Sequence, residues 1–142
     1  MSKAVLVQCT DSKRDVKSKA QNLYDESTYF CKMRAYAIAT GEPWFILSAK
    51  HGLVDPETVL DPYDEYGLVE NQCESIAEEL VDIGIDTVEV IAGSAYTNTL
   101  TPELESHGID VIELCRGMGI GERMSELGRL TKKVKHGSLH SQ

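Results

Sequence analysis

Hydrophobic and polar positions along this chain alternate between short apolar runs and longer stretches with a helical repeat. Ala4–Val7 is continuous and apolar, which predicts a strand buried on both faces, and the polar segment Gln8–Lys19 predicts a loop after it. Between Ser27 and Thr40, the residues Tyr29, Phe30, Met33, Tyr36 and Ala37 recur at helical spacing. Ser27 is the expected cap of that helix, and Gly41 then Pro43 its stop. Trp44–Leu47 predicts a second strand, broken at Ser48-Ala49-Lys50-His51-Gly52 by a glycine turn. The stretch from Leu53 to Gly67 is acidic and carries two prolines and two tyrosines without periodicity, which predicts a structured surface loop with at most one short helix. A helix is expected over Glu70–Ile83, with Ile76, Ala77, Leu80 and Ile83 on its core face and Gly84 ending it. Thr87–Ile91 predicts a third strand and Ala95–Ser106 a helix, renewed at Thr101-Pro102. Asp110–Leu114 predicts a fourth strand and Ile120–Leu130 a last helix.

Near-continuous apolar strands alternating with helices indicate an α/β protein. The expected fold is a three-layer α/β/α domain with a mostly parallel sheet of about four strands. It spans residues 1–131, and residues 132–142 form a polar tail expected to fray. Parallel sheets bind ligands at the carboxyl ends of their strands. Here those ends are Gln8–Lys13, Ser48–Gly52, Ala92–Tyr96 and Cys115–Gly121, the same segments that hold the chemically informative residues.

Composition narrows the class. A chain of 142 residues, 42% hydrophobic and 26% charged, is one folded domain that needs no disulfide or metal staple. It contains no apolar run of membrane-spanning length and no signal-peptide pattern at its start, so no membrane partner and a cytoplasmic location are expected. Cys9, Cys31, Cys73 and Cys115 lie too far apart for a zinc or redox motif and read as reduced thiols. The net charge of −9 is unevenly spread. Residues 1–34 hold seven basic and four acidic side chains, residues 116–142 six basic and two acidic. Between them, residues 35–115 hold seventeen acids and a single cation, Lys50. Overall acidity opposes a non-specific nucleic-acid coat, while a local basic cleft formed by the two ends remains open.

Five constellations carry candidate chemistry. In Cys9-Thr10-Asp11-Ser12-Lys13, a thiol, hydroxyls and an ammonium follow the first strand, suited to anion binding or nucleophilic attack; Cys9 reads equally as a small buried hydrophobe. Lys50, at a strand end beside Ser48, His51 and Gly52, suits holding a phosphate or carboxylate or titrating as a base, against an ion pair with a nearby acid. Lys13 and Lys50 are expected to converge on one pocket, with Lys50→Ala abolishing function. In Asp61-Pro62-Tyr63-Asp64, Tyr63 is placed to stack on a base and Asp64 to act as acid or base. Gly93-Ser94-Ala95-Tyr96 offers close backbone approach and a ring at a helix start. Arg116-Gly117-Met118-Gly119-Ile120-Gly121-Glu122-Arg123 is either an anion seat at a helix terminus or a turn for close packing. It lacks the spacing of a dinucleotide fingerprint. With no Walker loop, metalloprotease histidine pair or nucleophile elbow, no metal and no cofactor are assigned.

These residues resemble an uncharacterised domain family of archaea, bacteria and their viruses. The likeness runs through Cys9…Lys13, Asn22-Leu23-Tyr24, Phe45–Leu53, Pro62-Tyr63-Asp64, Ala92-Gly93…Tyr96…Leu100…Leu104 and Gly117…Ile120-Gly121…Leu127. More remotely, the Ser48…Gly52-Leu53 and Pro62-Tyr63 elements are similar to those of the YaaA peroxide-stress proteins and of accessory domains in archaeal tRNA base-exchange enzymes. That similarity implies a domain concerned with nucleic acid or nucleobases. The chain lacks a DNA-binding helix-hairpin-helix insert and the water-activating motif of true glycosylases, which argues against direct base excision. The expected function is thus an enzyme-like domain acting on a nucleotide, nucleobase or nucleic-acid component, with N-glycosidic bond chemistry as one reaction class. Lys50, Asp64 and Cys9 are its candidate catalytic residues, and Lys13, Ser48, His51, Tyr63, Gly93, Tyr96 and Gly121 its candidate binding residues. The alternatives are a non-catalytic nucleic-acid-binding or stress-protection module and a thiol-based redox protein centred on Cys9.

Overall fold

A computed structural model describes residues 2–10, 13–62 and 70–140. The elements are β1 (Lys3–Gln8), β2 (Ser18–Lys19), α1 (Ala20–Leu23), α2 (Thr28–Thr40), β3 (Trp44–Ser48), β4 (Gly52–Val54), β5 (Val59–Leu60), α3 (Glu70–Asp82), β6 (Thr87–Ile91), α4 (Ser94–Ser106), β7 (Asp110–Glu113) and α5 (Ile120–His140). Five strands form the main sheet in the order β4-β3-β1-β6-β7. Four of them are parallel, and β4 adds antiparallel to β3 at one edge. Central β1 pairs on both sides, so Ala4, Val5, Leu6 and Val7 are fully buried, which is why its sequence shows no alternation. Helix α2 packs on α5, and α3 on α4. Among the described residues, no helix is long and apolar enough to cross a membrane.

Local signals set the helix ends. Ser27 Oγ accepts the Phe30 N–H at 3.1 Å, and Gly41 ends α2 at φ 73°, a left-handed conformation open to glycine at little cost. Its five periodic side chains, Tyr29, Phe30, Met33, Tyr36 and Ala37, are all buried. Helix α3 corrects one expectation. Ile83 falls just past its end and is 56% exposed, while Ile85 is buried in its place. The cause is a Schellman turn: the Gly84 N–H bonds Val81 O, and the Ile85 N–H reaches back to Leu80 O at 2.9 Å. Helix α4 runs unbroken through Pro102, with no renewal at Thr101, and α5 continues to His140 instead of stopping at Leu130.

The segment expected as an irregular loop after Gly52 carries two short strands. β3 and β4 form a hairpin in register Ser48↔Gly52, Leu47↔Leu53 and Ile46↔Val54, and β5 pairs with β2 within the expected loop of residues 8–19. Two- and three-residue strands are too short for periodicity to reveal. One acid lies inside the core strands. Glu89 in β6 accepts the Tyr36 hydroxyl at 2.6 Å and pairs with Lys3 at 2.8 Å, and burial beside this carboxylate pushes the Tyr36 hydroxyl pKa up.

Candidate functional site

The chain leaves β1 toward β3 on one side, while β6 leads to β7 on the other, so strand order reverses between β1 and β6. The carboxyl ends of those two strands flank a crevice, as this topology dictates. It opens into a cavity of about 560 Å³ lined by Gln8 and Thr10 after β1, Ser27 and Tyr29 at the start of α2, Gly93 and Ser94 at the start of α4, and Met118, Gly119, Ile120 and Arg123 at the start of α5. A cavity of about 510 Å³ adjoins it, lined by Thr97, Asn98, Glu113, Arg116 and neighbouring backbone. Ser94, Met118 and Arg123 wall both.

Specific contacts shape these walls. Gln8 Oε1 accepts the Gly93 N–H at 2.6 Å, and Gln8 Nε2 donates to Cys9 O, so one buried amide fixes the β1 exit against the start of α4. The turn after β7 holds Cys115 at φ 61° and Gly117 at φ 78°. A left-handed cysteine is strained by roughly 1–2 kcal/mol. The turn it makes brings Met118 under Arg123 Nε, which donates to Met118 O at 3.0 Å. Helix α5 then starts with a capping-box arrangement in which the Gly119 N–H donates to Glu122 Oε1 at 3.1 Å.

Arg123 is the one nearly buried cation of the described walls, only 8% exposed. Nη1 donates to Tyr29 Oη at 3.2 Å and to Ala92 O at 3.3 Å. All its acceptors are neutral, and among the described residues no carboxylate pairs with it and Nη2 makes no hydrogen bond. Among the described residues no buried side-chain nitrogen lacks a partner, so the unbonded Nη2 is the open edge of this guanidinium, and an anion meeting it there supplies the missing counter-charge. Burial also pushes the nearby Cys115 thiol pKa up, against the opposing pull of the Arg123 charge.

Three of the four strand-end segments expected at a site meet in this crevice: those after β1, β6 and β7. The fourth does not. In the Ser48–Gly52 hairpin, Ser48 is fully buried and its Oγ accepts the Lys50 and His51 N–H groups, so the serine shapes the turn. Gly52 closes the turn at φ 74°. Lys50 and His51 are exposed and line a separate cavity of about 190 Å³ with Gln72, Ser75 and Glu79, and among the described residues Lys50 forms no ion pair. The Lys13 ammonium stands 5.8 Å from the Tyr24 ring centroid. The described cavities therefore do not join Lys13 to Lys50.

Tyr96 and Cys9 lie in the core and do not line the crevice. Tyr96 is fully buried and Cys9 is 1% exposed, and Tyr96 Oη and Cys9 Sγ share a hydrogen bond at 3.1 Å. With no ring surface free, Tyr96 offers nothing for a base to stack on. All four cysteines are free thiols. Gly93 lines the crevice, but at φ −78°, with room for a Cβ, its conformation does not require glycine. Gly121 is exposed, and nothing lies within 4 Å of where its Cβ would be, so it makes no close-packed turn. Tyr63 and Asp64, with Asp11 and Ser12, lie outside the described residues.

Of the crevice residues Gln8, Tyr29 and Arg123, none stands among the individually expected binding residues, although Gln8 opens an expected strand-end segment and Arg123 closes the glycine-rich segment weighed as an anion seat. Gln8 had a visible signal, since it is the polar residue that ends an otherwise apolar run. Tyr29 had none, because it sits inside a helical pattern where an aromatic residue is ordinary.

Fold and cavity together define an α/β protein with a ligand-sized crevice at the switch point of a mostly parallel sheet. The chain belongs to DUF6884, a family of unknown function whose sequence pattern matches residues 4–129. No curated protein and no solved structure matches it.

Proposed function

We propose that this chain is an enzyme-like domain that acts on a nucleotide, nucleobase or nucleic-acid component in the crevice between β1 and β6. The observation that carries this reading is the cavity of about 560 Å³ at the topological switch point. Open parallel sheets bind nucleotides at such points, and small-molecule sites run from about 300 to 1,000 Å³. The same reading takes the sheet as covered on both faces, by α2 with α5 and by α3 with α4, because right-handed crossovers that lead in opposite directions place their helices on opposite faces. The motif resemblance to YaaA proteins is the reason for preferring a nucleobase compound over other ligands of this size.

In this reading Tyr29, Met118 and Ile120 supply an apolar wall for a base, while Thr10 and Ser94 offer hydroxyls. The reaction class is cleavage of an N-glycosidic bond. Water oxygen bonds to the anomeric carbon as the carbon–nitrogen bond breaks, the electron pair leaves with the base nitrogen, and the water proton ends on the base. Among the described residues, the carboxylate that lines the adjoining smaller cavity is Glu113, which accepts the Thr101 hydroxyl at 2.7 Å and stands 3.8 Å from Arg116, and in this reading it accepts that proton first. Incubation with nucleosides and nucleotides, followed by chromatography for free base, tests the reading. Base release above the uncatalysed rate is expected, and it is lost in Glu113→Gln. Absence of both release and binding across the panel overturns it.

A second reading, a non-catalytic nucleic-acid-binding module, has one observation in its favour. The packing of α5 on α2 brings Lys32 close to Gly128 of α5, and α5 exposes Lys132, Lys133 and Lys135. Steep loss of oligonucleotide affinity with rising salt is the mark of that module. Salt-insensitive binding of a small ligand favours the crevice.

A further inference from the structure

We infer that Arg123 is a phosphate seat: the ligand of the crevice is a phosphomonoester whose phosphate lies against Arg123 and the start of α4, with its organic part in the larger cavity. This rests on the nucleotide reading above and narrows it, excluding free bases and nucleosides as preferred ligands.

Two independent features point at the same spot. Arg123 is 8% exposed, and Nε and Nη1 are spent on the backbone oxygens of Met118 and Ala92 and on the Tyr29 hydroxyl. Those three bonds lock the plane of the guanidinium, and among the described residues Nη2 is left without an acceptor. The second feature is the thirteen-residue helix α4, whose first residue, Ser94, walls both cavities together with Arg123. Among the described residues the Ser94 and Ala95 N–H groups of its first turn have no acceptor, while the Tyr96 N–H bonds Gly93 O at 3.0 Å, and the helix dipole adds positive potential there. Gly93 at the cap has no side chain to occupy that position.

The chemistry selects phosphate over carboxylate. Donors line the cavities from three elements: Arg123 on α5, Ser94 at the start of α4, and, at the smaller cavity, Arg116, which is 82% exposed and stands 3.8 Å from Glu113 Oε1. A planar carboxylate satisfies a single fork, whereas a tetrahedral dianion accepts from all three. The start of α5 does not compete for the anion, since the Gly119 N–H already donates to Glu122.

Calorimetric titration of the full chain decides the matter, using inorganic phosphate, the common ribonucleoside 5′-monophosphates and the matching nucleosides. The seat predicts that at least one monophosphate binds about tenfold or more tightly than its nucleoside, that inorganic phosphate competes with it, and that Arg123→Gln removes the difference. Arg123→Lys, which keeps the charge but loses the fork, restores part of it. Equal affinity of nucleoside and monophosphate overturns the seat while leaving the nucleotide reading standing. Phosphate binding that depends on Arg123, with no nucleotide bound, overturns that reading and keeps the seat. Should Arg123→Gln fail to fold, the comparison of ligands on the wild-type chain decides alone, and failure of phosphate and every monophosphate to bind there overturns the seat.

Discussion

The crevice between β1 and β6 and the hairpin joining β3 to β4 both lie at strand ends, and both carry a cation, yet they treat it in opposite ways. In the crevice, Arg123 is nearly buried, its plane fixed by three neutral acceptors, and it walls two adjoining cavities. In the hairpin, Lys50 is exposed beside a cavity of about 190 Å³, and the polar groups around it, Ser48 above all, serve the turn. Burial separates the two more sharply than chemical type. An exposed lysine is solvated at little cost, whereas a guanidinium largely withdrawn from water, with one open edge and no counter-charge among the described residues, favours binding an anion. The difference follows from topology: the switch point splays the strand connections apart and leaves a large gap, while the tight hairpin leaves only the smaller cavity against α3.

The largest expected effect comes from removing the amide that ties the crevice together. Gln8→Leu strips the Gly93 N–H and Cys9 O of their partners at a nearly buried site. A loss of about 1–3 kcal/mol of stability is expected from urea unfolding, together with weaker ligand binding. An unchanged stability would break the claim that Gln8 fixes the start of α4. Next comes Cys9→Ala. The thiol is packed and bonded to Tyr96, so a cost of roughly 1–2 kcal/mol is expected, along with retained activity and slow alkylation of the native thiol. Rapid labelling of Cys9 in the folded chain contradicts its burial and reopens covalent catalysis.

Smaller effects sharpen the contrast from the hairpin side. Lys50→Ala is expected to change stability by no more than about 0.5 kcal/mol and to leave nucleotide affinity within about twofold. Abolished binding in a folded Lys50→Ala chain would move the site to the hairpin. The smallest effect is a pH dependence remote from both regions. Arg14 forms a bidentate pair with Asp25, which holds that carboxyl below its ordinary range of about pH 4. A depressed folded-state pKa stabilises the fold above the ordinary value and loses that contribution as pH falls through the ordinary value toward the depressed one. The acid limb of wild-type stability should therefore be slightly steeper than that of Asp25→Asn, as thermal unfolding between neutral and acidic pH measures.

Much of the sheet was legible because its strands are buried on both faces. The apolar runs Ala4–Val7, Trp44–Leu47 and Thr87–Ile91 each became a parallel strand, and the cap and stop residues of α2 fell where Ser27 and Gly41 mark them. β2, β4 and β5 escaped because two or three residues show no period. The site was legible as a place more than as a set of side chains. Parallel topology pointed to the sheet edge where the crevice lies, but which strand ends adjoin the gap depends on strand order, which local pattern does not encode. Lys50 drew attention as a lone cation in an acidic stretch, a property of composition, whereas the importance of Arg123 lies in burial, a property of packing. Tyr96 shows the same limit: a tyrosine at a helix start reads alike whether its ring faces solvent or, as here, lies wholly in the core.

Two-dimensional amide NMR of the isotopically labelled chain, titrated with a ribonucleoside 5′-monophosphate, tests the central claim that ligand enters at the switch point. The account predicts that the amide signals of Gly93, Ser94, Met118 and Gly119 move with ligand while those of Lys50, His51 and Gly52 stay in place. Shifts concentrated in the hairpin, with the crevice amides unmoved, would contradict it.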